Sequence, residues 1–255
     1  IGGVLVAASG PDSAYWINAV TFLFSAVLLV RIPSSLLQAA RATTAGHWRD
    51  LREGFSLIGG SRALLTVLLA WNVGMLGNAG VNVAEIKLAK DSFDAGDFGF
   101  GLLVGSAGLG VALGSLSAAS WVETHRASKV YGAGLALMAV GIAAAAASPN
   151  VWVAAPAVAV SGGGNGIALV CNALFVQRGA PDRLRGRVFT VLMSSNYAVF
   201  LLGMLAAGPL TDEFGARWVW GGAALIAAVA AVVGFALARG IDEHVAAEPA
   251  LERAV

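Results

Sequence analysis

Residues 129–178 read KVYGAGLALMAVGIAAAAASPNVWVAAPAVAVSGGGNGIALVCNALFVQR, and between Lys129 and Arg178 stand 48 residues without a charge. As a single helix this run would extend about 72 Å, more than twice the ~30 Å depth of a bilayer's hydrocarbon. Ser148-Pro149-Asn150 divides it, because proline disfavours helix at the residue before it and lacks an amide donor, while asparagine favours turns. Each part is then long enough to cross a membrane. The stretch therefore reads as two adjoining spans.

The whole chain agrees with that reading. Of its 255 residues 58% are hydrophobic, a further 33 are glycine, and only 12% are charged, about half the ~25% of soluble domains. So little polar surface cannot cover so much apolar surface, and the excess must face lipid. The bilayer is thus the first partner implied. A net charge of +1 gives no field that argues for nucleic acid. One cysteine, Cys171, and three scattered histidines, His47, His125 and His244, offer neither a disulfide nor a metal-ligand spacing, so no metal and no cofactor is expected. The chain opens at Ile1 in an apolar stretch without a basic flank, unlike a signal peptide, and is read as cut from a longer one.

Uncharged gaps mark the remaining spans. Asp12 to Arg31, Arg62 to Glu85, Asp97 to Glu123, Arg187 to Asp212 and Arg217 to Arg239 each hold enough uncharged residues for one crossing. The expectation is an all-α, polytopic helical membrane protein of seven transmembrane helices with a truncated N-terminal stub. Its parts are the stub at 1–9, a helix at 14–31, a cytoplasmic linker at 32–62, a six-helix bundle at 63–239 and a cytoplasmic tail at 240–255. Alternating the loops across the membrane places thirteen Lys and Arg on one side and Lys87, Lys90 and Arg217 on the other. The richer side is cytoplasmic by the positive-inside rule, and so is the C-terminus. In the linker, Trp48, Leu51, Phe55 and Ile58 recur at helical spacing beside Arg49, Arg52 and Glu53, the pattern of an amphipathic helix lying at the interface.

Polar residues within spans are the best pointer to a pathway, since lipid offers them no partner. Asn72, Asn78 and Asn82 lie in one span, Asn165 and Asn172 in another beside the run Gly162–Gly164, and Ser195 and Asn196 in a third. These seven are the candidate cavity residues; hydrogen bonding between helices is their plainer role. Spans 130–147 and 218–238 are almost pure Ala, Gly, Val, Leu and Ile and are expected at the lipid-facing periphery. Gly101 and Gly105, then Gly110 and Gly114, form two small-xxx-small pairs for close packing. No ionisable residue stands mid-span. A proton-coupling carboxylate would therefore lie either outside this chain or at Glu85, near the outer end of its helix.

Several segments resemble one family. Pro181-Asp182-Arg183-Leu184-Arg185-Gly186-Arg187-Val188-Phe189 is similar to the P-x-x-x-R-G-R-V-F loop between the tenth and eleventh helices of major facilitator superfamily transporters, in the multidrug and siderophore exporter-like branch. Ile1-Gly2-Gly3-Val4-Leu5 resembles the end of that branch's fifth-helix motif, Asn18-Ala19-Val20-Thr21-Phe22 its sixth helix, and Leu51-Arg52-Glu53-Gly54-Phe55 the lead-in to its seventh. The resemblance implies that helices six to twelve are present, the N-terminal half being the missing partner. Helices nine and twelve would be outer supports. Gly114 to Arg126 stands where the family carries G-x-L-a-D-r-x-G-r-r but lacks the aspartate, whereas Gly208-Pro209-Leu210-Thr211-Asp212-Glu213-Phe214-Gly215-Ala216-Arg217 is closer to it on the opposite face. The implied function is multi-pass transport in the inner or plasma membrane, efflux of a small amphipathic molecule coupled to protons by alternating access.

The loop 178–187 has two readings. Asp182 would cap the following helix while Arg183, Arg185 and Arg187 pair with acids of the N-terminal half and release them as a gate; alternatively the arginines only hold the loop inside. The competing function is a membrane-embedded lipid-modifying enzyme. It would need a catalytic constellation at the surface, and the clustered acids Asp91, Asp94 and Asp97 have the irregular spacing of a solvated cap. The chain is therefore not expected to be an enzyme.

Overall fold

A computed structural model describes residues 2–33, 47–238 and 241. The expected tail at 240–255 and the linker's residues 34–46 lie outside the described residues, Ile241 apart. The chain divides into two units, residues 1–47 and 48–255.

Among the described residues up to 33, the first unit is one helix, α1 (Gly2–Val30). A stub at 1–9 and a separate span at 14–31 were expected, but the helix runs unbroken through Gly10 and Pro11. A proline costs one donor and bends a helix, yet membrane helices tolerate it. The apolar segment Tyr15–Val30 is shorter than the six spans of the second unit. Within it Thr21 Oγ1 donates to the Asn18 carbonyl and Ser25 Oγ to that of Thr21, so both hydroxyls are satisfied by their own helix.

The second unit begins with α2 (His47–Gly60), the amphipathic helix expected in the linker, with Ile58 fully buried and Phe55 exposed. Six helices long and apolar enough to cross a membrane follow. The first, Arg62–Ser92, is composite: α3 (Arg62–Thr66), a π-helical turn Val67–Trp71, α4 (Asn72–Lys87) and a second π-helical turn Leu88–Ser92. The others are α5 (Gly96–Thr124), α6 (Ala127–Ala147), α7 (Val151–Gly179), α8 (Asp182–Phe214) and α9 (Ala216–Ala238).

The turns are those the sequence announces. Asn150 caps α7, its Oδ1 accepting the Val153 amide at 3.1 Å. Between the first two spans Asp94 and Gly96 adopt left-handed φ of 50° and 58°, conformations that aspartate and glycine adopt most readily. At the far end of the bundle, Arg217 ties three turns together. Its Nη1 donates to the carbonyls of Ala146 and Ser148, and its guanidinium lies 4.9 Å from the centre of the Phe93 ring. Phe93, Ser148 and Arg217 belong to alternate connections, so the spans run up and down in sequence.

Packing is serial: α5 lies on α7, α7 on α6, α6 on α9, α9 on α4, and α4 on α8. The α5–α7 seam is made by backbone. A Cβ on Gly110 would collide with the Ala159 carbonyl, one on Gly114 with that of Gly163, and one on Gly166 with that of Val111. Of the glycines expected to pack, Gly110 and Gly114 meet α7, whereas Gly105 has nothing within 4 Å of its Cβ position. Gly105 and Gly110 stand five residues apart, about 140° around the helix, so they face different ways. Of the two plain spans, α9 ranks fourth of the six in burial, but α6 is not at the periphery of this bundle. α6 is the most buried of the six, while α8, with its Ser and Asn, is among the least. Small side chains let α7 and α9 approach α6 from two sides, as at Gly134 against Ile167 and Gly234 against Leu135.

Candidate functional site

The π-helical turn Val67–Trp71 ends where Asn72 begins. One extra residue in the turn shifts the helical register, and such turns concentrate at functional positions. Asn72 Nδ2 donates to Ser195 Oγ at 2.7 Å, joining α4 to α8 across the apolar interior. Asn196, next on α8, is 5% exposed and its Nδ2 has no hydrogen-bond partner; Asn172 on α7 is 9% exposed and its Oδ1 likewise has none. An unpaired amide atom in so dry a setting costs about 1–3 kcal/mol. Among the described residues, Tyr131 Oη and Trp220 Nε1 are likewise buried without a hydrogen-bond partner.

The other polar candidates stand apart. Asn78 reaches only Met75 Sδ, at 4.0 Å and on its own helix. Asn82 is exposed and Asn165 half-buried. Glu85 is half-buried and lies thirteen residues beyond Asn72, about 20 Å along the helix. Lys87, two residues on, pairs not with Glu85 but with Asp212 of α8 at 2.5 Å. The α4–α8 pair is therefore joined by polar contacts both within the span and at its end.

At the opposite end the arginine loop is engaged within the chain. Asp182 opens α8 after Pro181, which is the capping residue; instead of capping, Asp182 pairs with Arg185 at 2.7 Å. Arg185 also donates to the carbonyls of Gln177 and Ala180, closing the C-terminus of α7, whose last carbonyls lack helical donors. Arg187 pairs with Glu53 of α2 at 2.5 Å, and Gly54 beside it abuts Val191. An open hollow of about 740 Å³ lies alongside, lined by Arg52, Glu53, Ser56 and Pro181 among others. Arg183 is exposed. Of the acids weighed for catalysis, Asp97 pairs with Lys90 at 2.6 Å, Asp94 forms the turn, and Asp91 sits in the second π-helical turn.

Sequence reading did not find the roles of Glu53, Lys87, Asp212 and Arg217. Two of them carried a signal: Glu53 lies on the polar side of an amphipathic helix, and Asp212 within the motif-like segment after Gly208. No match is found among curated proteins or solved structures. The model of the Major Facilitator Superfamily, a transporter family, matches residues 73–254, a range that takes in most of the composite first span and all five helices after it. With six membrane-length helices packed in alternating directions, the chain belongs to the Major Facilitator Superfamily.

Proposed function

We propose that this chain forms one half of an alternating-access carrier that exports a small amphipathic molecule, with a second six-helix half closing the pathway. The reading is supported above all by Asn172 of α7 and Asn196 of α8, buried amides in apolar spans that each keep an unpaired hydrogen-bonding atom. A substrate bearing hydrogen-bonding groups on an apolar frame would satisfy them on entry, and its apolar remainder suits the surrounding helices. The loop motif supports assignment to the multidrug and siderophore exporter-like branch in the inner or plasma membrane, and the placement of the arginines supports a cytoplasmic C-terminus. The missing half would supply the opposite wall, and Arg183 is free of the in-chain pairings that occupy Arg185 and Arg187.

The test is transport by the full-length protein in vesicles, with cysteines introduced at positions 72, 172 and 196. Labelling of each from both sides in turn, protected by a substrate, is the expected result. Access from one side alone would contradict alternating access and favour an enzyme-like pocket.

A further inference from the structure

An apolar groove of about 450 Å³ runs between α4, α8 and α9. Its walls include Leu76 and Gly80 of α4, Gly203 and Leu210 of α8, and Gly222 and Ile226 of α9. The groove exists because the helices approach closely at its floor: a Cβ on Gly77 would lie 2.9 Å from the Ala223 carbonyl, and one on Gly80 3.3 Å from Val219 Cγ1. Above that floor glycine leaves room, and the Cβ position of Gly222 meets nothing within 4 Å.

Three observations identify the occupant. The α8 wall extends from Gly203 to Phe214, about 16 Å along the helix and so about half the ~30 Å hydrocarbon core. The groove is one leaflet deep, and its volume is about that of a single long acyl chain. Its end is marked by Phe214 and Trp218, 55% and 77% exposed, the residue types that settle at the level of lipid headgroups. Beyond them the walls carry opposite charges. Lys87 continues the α4 stripe of Leu76 and Gly80, seven residues past Gly80, and exposed Glu213 continues the α8 stripe of Ala206 and Leu210. Lys87 and Asp212 already pair with each other, so past this mouth of the groove stand one neutral ion pair, open to exchange with a headgroup, and the further carboxylate of Glu213. A phosphate that also carries an ammonium matches this mouth; a headgroup that is only anionic does not.

We propose that this groove is a binding site for a zwitterionic phospholipid bearing a primary ammonium, one acyl chain lying between α4, α8 and α9 and the headgroup spanning Lys87 and Glu213. The site rests on embedding in a bilayer and not on transport. The lipid seals a seam that the helices leave open and holds α8 against α9, two helices that touch little elsewhere.

The experiment uses the full-length protein in phosphatidylglycerol vesicles containing a small fraction of phosphatidylethanolamine brominated on its acyl chains. Quenching of Trp218 is read as the difference between the protein and its Trp218→Phe variant. The expected result is quenching about tenfold above that of brominated phosphatidylglycerol at the same fraction, a selectivity of about 1.4 kcal/mol. Gly222→Leu should abolish the excess. Gly221→Leu, whose Cβ position also meets nothing within 4 Å but which does not line the groove, should keep it. Glu213→Gln should reduce headgroup selectivity without filling the groove. Quenching that simply follows bulk composition, or that survives Gly222→Leu, would overturn the site and leave the groove to a transported molecule or a neighbouring helix.

Discussion

Arg187 Nη1 lies 2.5 Å from Glu53 Oε2, joining the start of α8 to the amphipathic helix α2 across 134 residues of sequence. The two side chains are 29% and 48% exposed, so the pair is worth about 0–1 kcal/mol in stability. Its value lies in position, since α2 leads directly into the first span and any displacement of α8 must carry α2 with it or break the pair. In full-length protein, Arg187→Ala and Glu53→Ala should each slow transport while leaving abundance unchanged. The reversed pair, Arg187→Glu with Glu53→Arg, should restore it, and a failure to restore would assign Arg187 another partner.

Arg185 is expected to behave differently although it stands two residues away. It closes the end of α7 through two carbonyls, and with its side chain 41% exposed these bonds together contribute about 1 kcal/mol. Arg185→Ala should therefore lower the unfolding temperature in detergent and reduce abundance, with Arg185→Lys recovering part of the loss. A variant that lost transport yet melted normally would return Arg185 to a gating role.

Most span boundaries were legible because charge is costly in lipid, and where charge was absent the proline and asparagine of Ser148-Pro149-Asn150 marked the turn between α6 and α7. Faces were less legible. Gly101–Gly105 and Gly110–Gly114 look alike as strings, and only the phase between them tells which pair meets α7. The π-helical turn before Asn72 leaves no mark in composition, since it needs one misaligned hydrogen bond and no special residue. Cross-helix pairs such as Lys87–Asp212 depend on which helices become neighbours, and spacing along one helix does not determine that. The seven amide and hydroxyl candidates were chosen by depth alone. The structure bonds Asn72 to Ser195, leaves Asn172 and Asn196 buried with an unpaired atom each, and exposes Asn82.

The backbone seam between α5 and α7 predicts a sharp contrast among glycines on one helix. Gly110→Leu and Gly114→Leu must push α7 away from its carbonyls, and overpacking of this kind costs about 1–3 kcal/mol or more. Gly105→Leu enters open space and should leave the unfolding temperature unchanged. Equal losses at Gly105 and Gly110 would mean that α5 packs through a different face.

Asn72 and Ser195 offer a measurable coupling. Interhelical hydrogen bonds in membranes average about 0.6 kcal/mol and reach about 1.7, so Asn72→Ala, Ser195→Ala and the double variant should show a coupling in that range by unfolding in detergent. A coupling near zero would mean the two side chains do not share a bond in the folded protein.

Glu85 is the carboxylate farthest from the end of any described span, seven residues inside Ser92, and Lys87 two residues on pairs with Asp212. The family resemblance implies proton coupling, which either Glu85 or a group in the other half would perform. If it is Glu85, Glu85→Gln in the full-length protein should abolish accumulation driven by a pH gradient yet preserve exchange of labelled for unlabelled substrate at equal pH, because exchange needs the conformational cycle but no net proton movement. Retained pH-driven accumulation in Glu85→Gln would move the coupling group to the partner half, and loss of both activities would show that Glu85 serves the fold or the pathway instead of the proton.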